Sequence, residues 1–218
     1  MIPHGLSALL ILPLVPIMTP NGNSRQLKSS PSIPTLLANR RLASCPMPAA
    51  KSPRASGWLR MDHAPSGKHV VVQTDANATD SRFPVLIADS GEYADLDVSM
   101  KAKAISGKVD QGMGLVFRFR DPKSYYVVRA NALENNFRLY KMVNGKRLQF
   151  AGANMRVSTG QWHAIRVVAK GDRITCWLDG EQLINARDKT YTTGNTGKVG
   201  LWTKADSVTA FDDLTVSQ

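Results

Sequence analysis

The stretch "QWHAIRVVAKGDRITCWLDGEQLINA", residues 161–186, decides the fold of this chain. Apolar and polar residues alternate on both sides of Gly171-Asp172, and alternation resumes after Asp179-Gly180. Alternation with a period of two is typical of a strand that buries one face. An Asp-Gly pair tolerates the positive φ of a tight hairpin turn. The stretch therefore predicts three antiparallel strands in a meander.

The same pattern recurs from Trp58 to the C-terminus, and Asn144-Gly145 marks another hairpin turn. No segment has the i, i+3, i+4, i+7 apolar stripe of a helix. Short strands separated by turn residues predict an all-β sandwich or barrel. The predicted strands lie near residues 69–74, 83–88, 94–104, 112–120, 124–132, 136–143, 146–151, 161–170, 172–179, 181–187, 197–204 and 207–217.

Residues 1–57 have the features of a targeting segment and a linker. Leu6 to Met18 is an apolar run of signal-peptide length, too short to span a membrane as a helix. Residues 19–57 are rich in Pro and Ser and have no apolar period, which predicts disorder. Residues 42–45, Leu-Ala-Ser-Cys, resemble a lipoprotein cleavage box ending at Cys45, although two arginines precede them. We expect an exported leader over 1–57 and one domain over 58–218, in a secreted, periplasmic or cell-envelope protein.

The positive charge is concentrated outside the predicted domain. The net charge is +11, and residues 1–57 hold six of the 28 Lys and Arg residues but none of the 17 Asp and Glu residues. A nucleic-acid-binding domain places its cations on the folded part, with aromatic residues for stacking on bases. The distribution predicts no nucleic-acid partner.

Alternation also sorts side chains to the two faces of the predicted strands. In 115–120 it places Leu115, Phe117 and Phe119 on one face. If the strands at 115–120, 124–131 and 137–143 are neighbours, one polar face results. That face is either a solvated outer surface or a ligand groove, and its candidate ligand-binding residues are Arg118, Arg120, Arg129, Asn131, Arg138 and Tyr140.

The hairpin "WHAIRVVAKGDRITCWLDGEQL" resembles one found in concanavalin A-like lectin and glucanase domains, which include laminin-G-like modules. Two further segments, "GLVFRFRDPKSYYVVRANALENNFRLYKMVNGKR" and "GKVGLWTKADSVTAFDDLTV", resemble bacterial 3-keto-disaccharide hydrolase-like domains more closely. The resemblance extends from near Val70 to the C-terminus. It implies a jelly-roll sandwich of two curved antiparallel sheets, whose concave face often binds carbohydrate.

In that fold we expect Trp162 to pack near a sheet edge and Trp177 and Trp202 to lie in the core. His163 shares a face with Ile165 and Val167. A histidine with satisfied hydrogen bonds is therefore favoured over a general base, although His163 stays a catalytic candidate.

Retaining glucanases with this fold carry two carboxylates on one strand as Glu-x-Asp-x-x-Glu. The closest stretch here is "GEYADLDVSM", in which Asp95 and Asp97 share a face but Glu92 does not and no second Glu follows. The departure argues against a carboxylate pair of that type. The 3-keto-disaccharide hydrolase resemblance implies a base and a stabilising cation instead. The candidate bases are Glu134, His163, Asp95 and Asp97, and the candidate stabilisers are Arg118, Arg129 and Arg138.

A structural calcium ion is the one metal that the resemblance suggests. Asp212 and Asp213 lie in "AFDDLTV", at the last predicted strand, where many relatives of this architecture hold calcium. Calcium requires six to eight oxygen ligands, and adjacent strand residues point to opposite faces. The alternative is that these aspartates bind backbone at a sheet corner.

Three functions follow as hypotheses. The first is a carbohydrate-binding module without turnover, supported by the resemblance and the missing carboxylate pair. The second is a hydrolase or lyase that acts on 3-keto-glycosides. The third is a structural or protein-interaction domain of the laminin-G type. No cofactor is expected apart from calcium, and a carbohydrate is the expected partner.

Overall fold

The computed structural model describes residues 42–45, 57–62, 69–192 and 196–218, which form two antiparallel sheets of seven strands each. These ranges contain no helix that is long and apolar enough to cross a membrane. The prediction of an all-β sandwich of two antiparallel sheets is confirmed. The apolar run from Leu6 to Met18 and most of the predicted leader lie outside the described residues.

Sheet A contains, in spatial order, β1 (Leu42–Cys45), β4 (Phe83–Ile87), β13 (Lys198–Trp202), β6 (Gly112–Asp121), β7 (Ser124–Asn131), β8 (Asn136–Val143) and β9 (Lys146–Asn154). Sheet B contains β12 (Glu181–Arg187), β11 (Arg173–Leu178), β10 (His163–Lys170), β5 (Leu96–Ser106), β14 (Val208–Ser217), β3 (His69–Gln73) and β2 (Trp58–Asp62). All twelve predicted strands are present. Two strands were not predicted, namely β1, which lies in the predicted leader, and β2.

The predicted hairpins are confirmed by their backbone angles. Asp179 and Gly180 have φ values of 51° and 85° between β11 and β12, and Asn144 and Gly145 have 51° and 79° between β8 and β9. Strands β10, β11 and β12 follow one another in sheet B as the meander predicted from residues 161–186.

The core between the sheets is built by strict alternation. On β10, Ile165, Val167 and Ala169 are fully buried, and they pack with Val98 and Met100 of the neighbouring β5. Sheet A contributes Leu115, Phe117, Tyr126, Val128 and Leu139 from β6, β7 and β8 to the same cluster. Each buried aliphatic or aromatic side chain of this kind contributes about 1.5–3 kcal/mol to folding.

A β-bulge at Arg118 interrupts the alternation of β6. Arg118 has φ 48°, and the register of β6 shifts in this region against both neighbouring strands, β13 and β7. One extra residue in a strand reverses the face of every later side chain. The prediction that Phe119 shares a face with Phe117 is therefore wrong, because Phe119 packs with Val116 and Tyr125 on the opposite face of sheet A.

Candidate functional site

The face of sheet A that points away from sheet B carries a second buried cluster, and we call this face the outer face. Its members come only from sheet A, whereas the core draws on both sheets. The strands β6, β7 and β8 are neighbours in this sheet, which is the condition on which the predicted polar face depended. The cluster consists of Val85, Ile87, Val116, Phe119, Tyr125, Val127, Tyr140, Met142 and Trp202, with Phe83 packed against it.

Two glycines of β6 make room for Trp202 on this face. A Cβ atom on Gly114 would lie 2.7 Å from Trp202 Cε3, and one on Gly112 would lie 3.3 Å from Trp202 Cζ3. A glycine inside a strand often marks such a close approach. Trp202 is fully buried and stacks on Phe83 with 5.5 Å between ring centroids. We call Phe83, Tyr140 and Trp202 the aromatic platform.

The guanidinium of Arg147, on β9, lies over all three rings of the platform. Its Cζ atom is 4.7 Å from the Tyr140 centroid, 4.8 Å from that of Phe83 and 5.8 Å from that of Trp202. Such cation–π contacts are favourable, and more so where water is excluded. Phe83 and Arg147 remain partly exposed, so they form the accessible rim of the platform.

A cluster of charged and amide side chains continues from the platform along β7. Arg129 Cζ lies 5.6 Å from the Tyr140 centroid, and Arg129 Nη2 donates to Glu134 Oε2 at 2.7 Å and to Asn136 Oδ1 at 2.8 Å. Arg129 Nη1 lies 3.5 Å from Asp110 Oδ2. We call this group the Arg129 cluster, and its members are Asp110, Arg129, Asn131, Glu134, Asn136 and Lys204.

Two loops hold the carboxylates of the cluster in place. Asp206 accepts the backbone N–H groups of residues 108–110, which fixes Asp110 at the start of β6. Asn131 Nδ2 donates to Asp110 Oδ1 at 2.9 Å, and its Oδ1 accepts the backbone N–H of Glu134 at 3.2 Å. An Asn side chain that bonds backbone two or three residues ahead stabilises a tight turn, and this turn directs Glu134 back toward Arg129.

The two carboxyl groups of the cluster have pKa values shifted in opposite directions. Burial raises the pKa of Asp110 above its usual value, and the charges of Arg129 and Lys204 only partly offset this effect. Burial also opposes ionisation of Glu134, but hydrogen bonds from Asn136 and Arg129 outweigh it and lower its pKa. Asp110 has no exposed side-chain surface, whereas the Glu134 side chain is 46% exposed. Glu134 is therefore the carboxylate that a ligand can reach.

The structure brings four of the predicted site residues together, namely Arg129, Asn131, Glu134 and Tyr140. Arg138 is paired with Arg129 across β7 and β8 on the same face, and it donates to Asn154 Oδ1. These contacts are geometric, and a ligand-binding role for the residues stays a prediction.

Arg118 and Arg120 do not join this group. Because of the bulge, Arg118 points toward sheet B, where its Nε donates to the Ala94 carbonyl oxygen at 2.8 Å. Arg118 is almost fully buried, and this burial lowers its pKa. Arg120 lies over the ring of Tyr191 at 5.9 Å. The prediction that all six residues share one polar face is wrong for this reason.

The other catalytic candidates are engaged elsewhere. His163 Nδ1 lies 2.7 Å from Asp179 Oδ2 and Nε2 lies 3.0 Å from the Ser158 carbonyl oxygen, so both ring nitrogens have partners. Asp97 pairs with Arg166 on the exposed face of sheet B. Asp95 accepts the backbone N–H of Gly171 at 2.8 Å. None of the three lies in the Arg129 cluster.

The two aspartates proposed for calcium have protein partners. Asp213 Oδ2 lies 2.9 Å from Lys101 Nζ, and Asp212 Oδ1 accepts the backbone N–H of Asp213. The described ranges contain no group of three or more His, Cys, Asp or Glu side chains able to hold a metal ion. A structural calcium ion at these aspartates stays a prediction.

The tryptophans were predicted less well than the strands. Trp177 was expected in the core, but it is half-buried on the outer side of sheet B, with Arg166 Cζ 5.0 Å from its centroid. Alternation explains the error, because its neighbours Cys176 and Leu178 are the buried residues of β11. Trp162 packs against the small Val70, Val72 and Ala210 cluster, also outside the core.

Six residues of the site were missed by the sequence analysis, namely Phe83, Asp110, Asn136, Arg147, Trp202 and Lys204. Lys204 Nζ lies 3.2 Å from Asp110 Oδ2 and donates to Asp80. The one local signal for them is Gly112-x-Gly114, since two outward-facing glycines in a predicted strand leave space for side chains from elsewhere. Their identity depends on which loops meet there, which the sequence pattern does not encode.

The fold and the comparisons with solved structures agree on the class of protein, which is an all-β jelly-roll sandwich. The family model described as "3-keto-alpha-glucoside-1,2-lyase-like domain" matches residues 52–217, and the chain belongs to this family. The resemblance seen in the sequence is thereby confirmed. No curated protein matches the chain.

Solved structures with the same fold have low sequence identity. The carbohydrate binding module CBM66 from Bacillus subtilis is similar at TM-score 0.59 and 20% identity, over 74% of this chain and 96% of that one. A putative glycosyl hydrolase from Parabacteroides distasonis is similar at TM-score 0.52 and 14% identity, over 77% and 92%. A Bacillus subtilis protein of unknown function with a galectin-like fold gives 0.50 and 12%, over 69% and 83%. At these identities the likeness establishes the fold alone.

Proposed function

We propose that this domain binds carbohydrate on the outer face of sheet A, between the Arg129 cluster and the aromatic platform, without turning it over. The observation that carries the proposal is the juxtaposition of Arg129, which holds Glu134 at 2.7 Å, with the Tyr140 ring at 5.6 Å. Sugars present C–H groups for stacking on aromatic rings and hydroxyls for hydrogen bonds to planar charged groups. Sites of this kind combine aromatic surface with a few placed polar groups.

The accessible residues of the proposed site are Phe83, Glu134, Arg138 and Arg147, all of which retain exposed surface. Asp110, Arg129 and Trp202 lie beneath them and are almost fully buried. The buried residues therefore orient the rim, and the rim makes the first contact with a sugar. The likeness in fold to the carbohydrate binding module of Bacillus subtilis supports the proposal that the domain binds carbohydrate.

Binding is favoured over turnover because no accessible group combines the position and pKa of a strong base. Asp110 has the raised pKa but is enclosed by Asn131 and Lys204. Glu134 is accessible, but its lowered pKa makes it a weak base. His163 has both ring nitrogens engaged.

A lyase acting on 3-keto-glycosides is the second candidate, and the family match favours it. In such a reaction a base removes the proton from the carbon between the ketone and the anomeric carbon. The electron pair forms the carbon–carbon double bond as the glycosidic oxygen leaves and takes up a proton. Glu134 would be the base in this chain, and Arg129 would stabilise the negative charge on the ketone oxygen.

The proposed location follows from the leader. We propose that the domain acts in the cell envelope or outside the cell, because an apolar run of signal-peptide length precedes a Pro- and Ser-rich segment.

A glycan array and a 3-keto-disaccharide turnover assay separate the three functions. Binding alone supports the proposal, turnover supports the lyase, and neither supports a structural or protein-interaction domain. Glu134→Gln keeps the shape of the residue but removes its charge, so we expect about tenfold weaker glycan binding, the effect of one charge-assisted hydrogen bond. Glu181→Gln, at an exposed position of sheet B, is the matched control and should bind like the parent. Equal binding by both variants would exclude the Arg129 cluster as the site.

A further inference from the structure

Three buried N–H groups on the outer face have no hydrogen-bond acceptor in the described part of the chain. They are Arg129 Nε, Arg147 Nη1 and Trp202 Nε1. Both guanidinium groups lie over the Tyr140 ring, and that of Arg147 also lies over Trp202. Buried polar groups in folded proteins are nearly always paired, so three unpaired donors on one face of the sheet indicate a missing acceptor.

These three groups can only donate. An indole N–H and the guanidinium N–H groups have no acceptor function, and a guanidinium does not lose its proton in proteins. A sugar hydroxyl could accept a hydrogen bond from one of them, but its own hydrogen would need an acceptor, and none of the three groups is one. The set is matched best by a group that offers several acceptor oxygens and no hydrogen.

The charge of Arg147 gives a second, independent argument. Arg129 has carboxylate partners in Glu134 and Asp110, whereas no ion pair joins Arg147 to a carboxylate of the described residues. On sheet B, Arg166 also stacks on a tryptophan, but it is held by Asp97 through two hydrogen bonds. The described residues therefore leave the charge of Arg147 without a counter-ion, and an anionic ligand would supply one.

We propose that the sugar bound on the outer face carries an oxyanion, a carboxylate or a sulfate, which accepts hydrogen bonds from Arg147 and from the Trp202 indole. Arginine binds such groups with two parallel N–H donors, which gives both affinity and orientation. The inference rests on the proposed function, because it names the class of sugar that this same face selects. Arg147 then determines specificity, Glu134 remains a contact for hydroxyl groups, and Arg129 positions Glu134.

The test titrates the full chain with four probes: glucose, glucuronate, the methyl ester of glucuronate and glucose 6-sulfate. The ester has nearly the shape of glucuronate without its charge. Dissociation constants come from NMR titration, and Trp202→Phe identifies the Trp202 signal among those of the four tryptophans. We expect glucuronate or glucose 6-sulfate to bind about tenfold or more tightly than glucose and the ester, with a downfield shift of the Trp202 indole proton. Which of the two anions binds more tightly identifies the carboxylate or the sulfate as the source.

Arg147→Gln should reduce the ratio between the affinities for the anionic probe and for glucose to about one. Arg166→Gln, which changes the other arginine stacked on a tryptophan, should keep the preference of the parent. A thermal melt of each variant shows that it is folded.

Equal affinity for charged and neutral probes in the parent overturns the inference but leaves carbohydrate binding on the outer face intact. The same holds for a preference that survives in Arg147→Gln. If neither these probes nor any glycan of the array binds, the proposed function fails, and the inference fails with it.

Discussion

Replacing Arg129 by methionine tests whether the buried charges of the outer face form one unit. The Arg129 side chain is 2% exposed, and it is the cation that Asp110 and Glu134 share. Methionine retains much of the apolar stem but removes the guanidinium. Asp110 then keeps Lys204 Nζ at 3.2 Å and Asn131 Nδ2 at 2.9 Å, whereas Glu134 loses its only charged partner at hydrogen-bond distance among the described residues.

Removing one partner of a buried ion pair costs about 3–5 kcal/mol of folding free energy. We expect a loss of about 3 kcal/mol at pH 7, the lower end of that range, because Lys204 and Asn131 still compensate Asp110. In a domain of this size, about 3 kcal/mol corresponds to a fall of roughly 6–12 °C in Tm.

The loss should depend on pH in a defined direction. Burial raises the pKa of Asp110 in the folded parent above its usual value, and without Arg129 it should rise further. An acid whose folded pKa is raised destabilises the protein fully above that pKa, and the effect disappears as pH falls to the unfolded pKa. Loss of the Arg129 hydrogen bond to Glu134, whose pKa is lowered, acts in the same direction. The deficit of Arg129→Met should therefore be smaller at pH 4 than at pH 7.

Urea denaturation at the two pH values measures both effects. Arg187→Met is the control, since Arg187 pairs with Asp172 at the surface and its loss should cost at most about 1 kcal/mol. An unchanged urea midpoint for Arg129→Met, or an equal deficit at pH 4 and pH 7, would refute the coupling of Arg129 to the carboxylates.

Three further changes test the packing and the loops. Phe117→Ala should lower the free energy of unfolding in urea by about 3–5 kcal/mol, because Phe117 is fully buried against Tyr126. A loss as small as that expected for an exposed side chain would contradict the placement of Phe117 in the core. Gly114→Ala places a Cβ 2.7 Å from Trp202 and should cost about 1–3 kcal/mol, with altered tryptophan fluorescence; an unchanged Tm would show that Trp202 lies elsewhere. Burial raises the pKa of Asp188, but hydrogen bonds from Lys141, Thr190 and Tyr126 outweigh this effect and lower the pKa from 3.8 to about 2. Its contribution is present above pH 3.8 and lost toward pH 2, so circular dichroism should show that Asp188→Asn loses less stability than the parent over that window.

The strands were predictable because their signals are local. Every strand after β2 can be identified from the period-two alternation of its own residues and from the turn residues beside it, such as Asn144-Gly145 and Asp179-Gly180. The bulge at Arg118 was not predictable, because it is set by the pairing of β6 with β7 and β13 and not by an unusual residue. The bulge turned Arg118 away from the outer face and moved Phe119 onto it.

The candidate site was predictable only where its residues share a hairpin. Arg129, Asn131 and Glu134 lie within six residues of sequence at the turn between β7 and β8, so alternation and turn chemistry place them together. Asp110 and Lys204 come from two loops that are far apart in the sequence, and their meeting is a property of the strand order. The pattern also predicted that Arg129 lies on a solvated surface or in a ligand groove, whereas the structure buries it almost fully.

Aromatic residues next to cations do not by themselves locate the site, since both sheets have them. On the exposed side of sheet B, Lys103 lies 5.0 Å from the Trp162 centroid and Arg166 lies 5.0 Å from that of Trp177. Arg166 is nevertheless neutralised by Asp97, and its partner tryptophan is only half-buried. On sheet A the tryptophan is fully buried, and its indole N–H and Nη1 of the stacked Arg147 both lack acceptors among the described residues. A buried hydrogen-bond donor without an acceptor is unfavourable, so it occurs in a folded protein only where another interaction offsets its cost. A ligand that supplies acceptor oxygens would be such an interaction. The outer face of sheet A is therefore the stronger candidate, on the ground of unsatisfied hydrogen bonds and not of aromatic content.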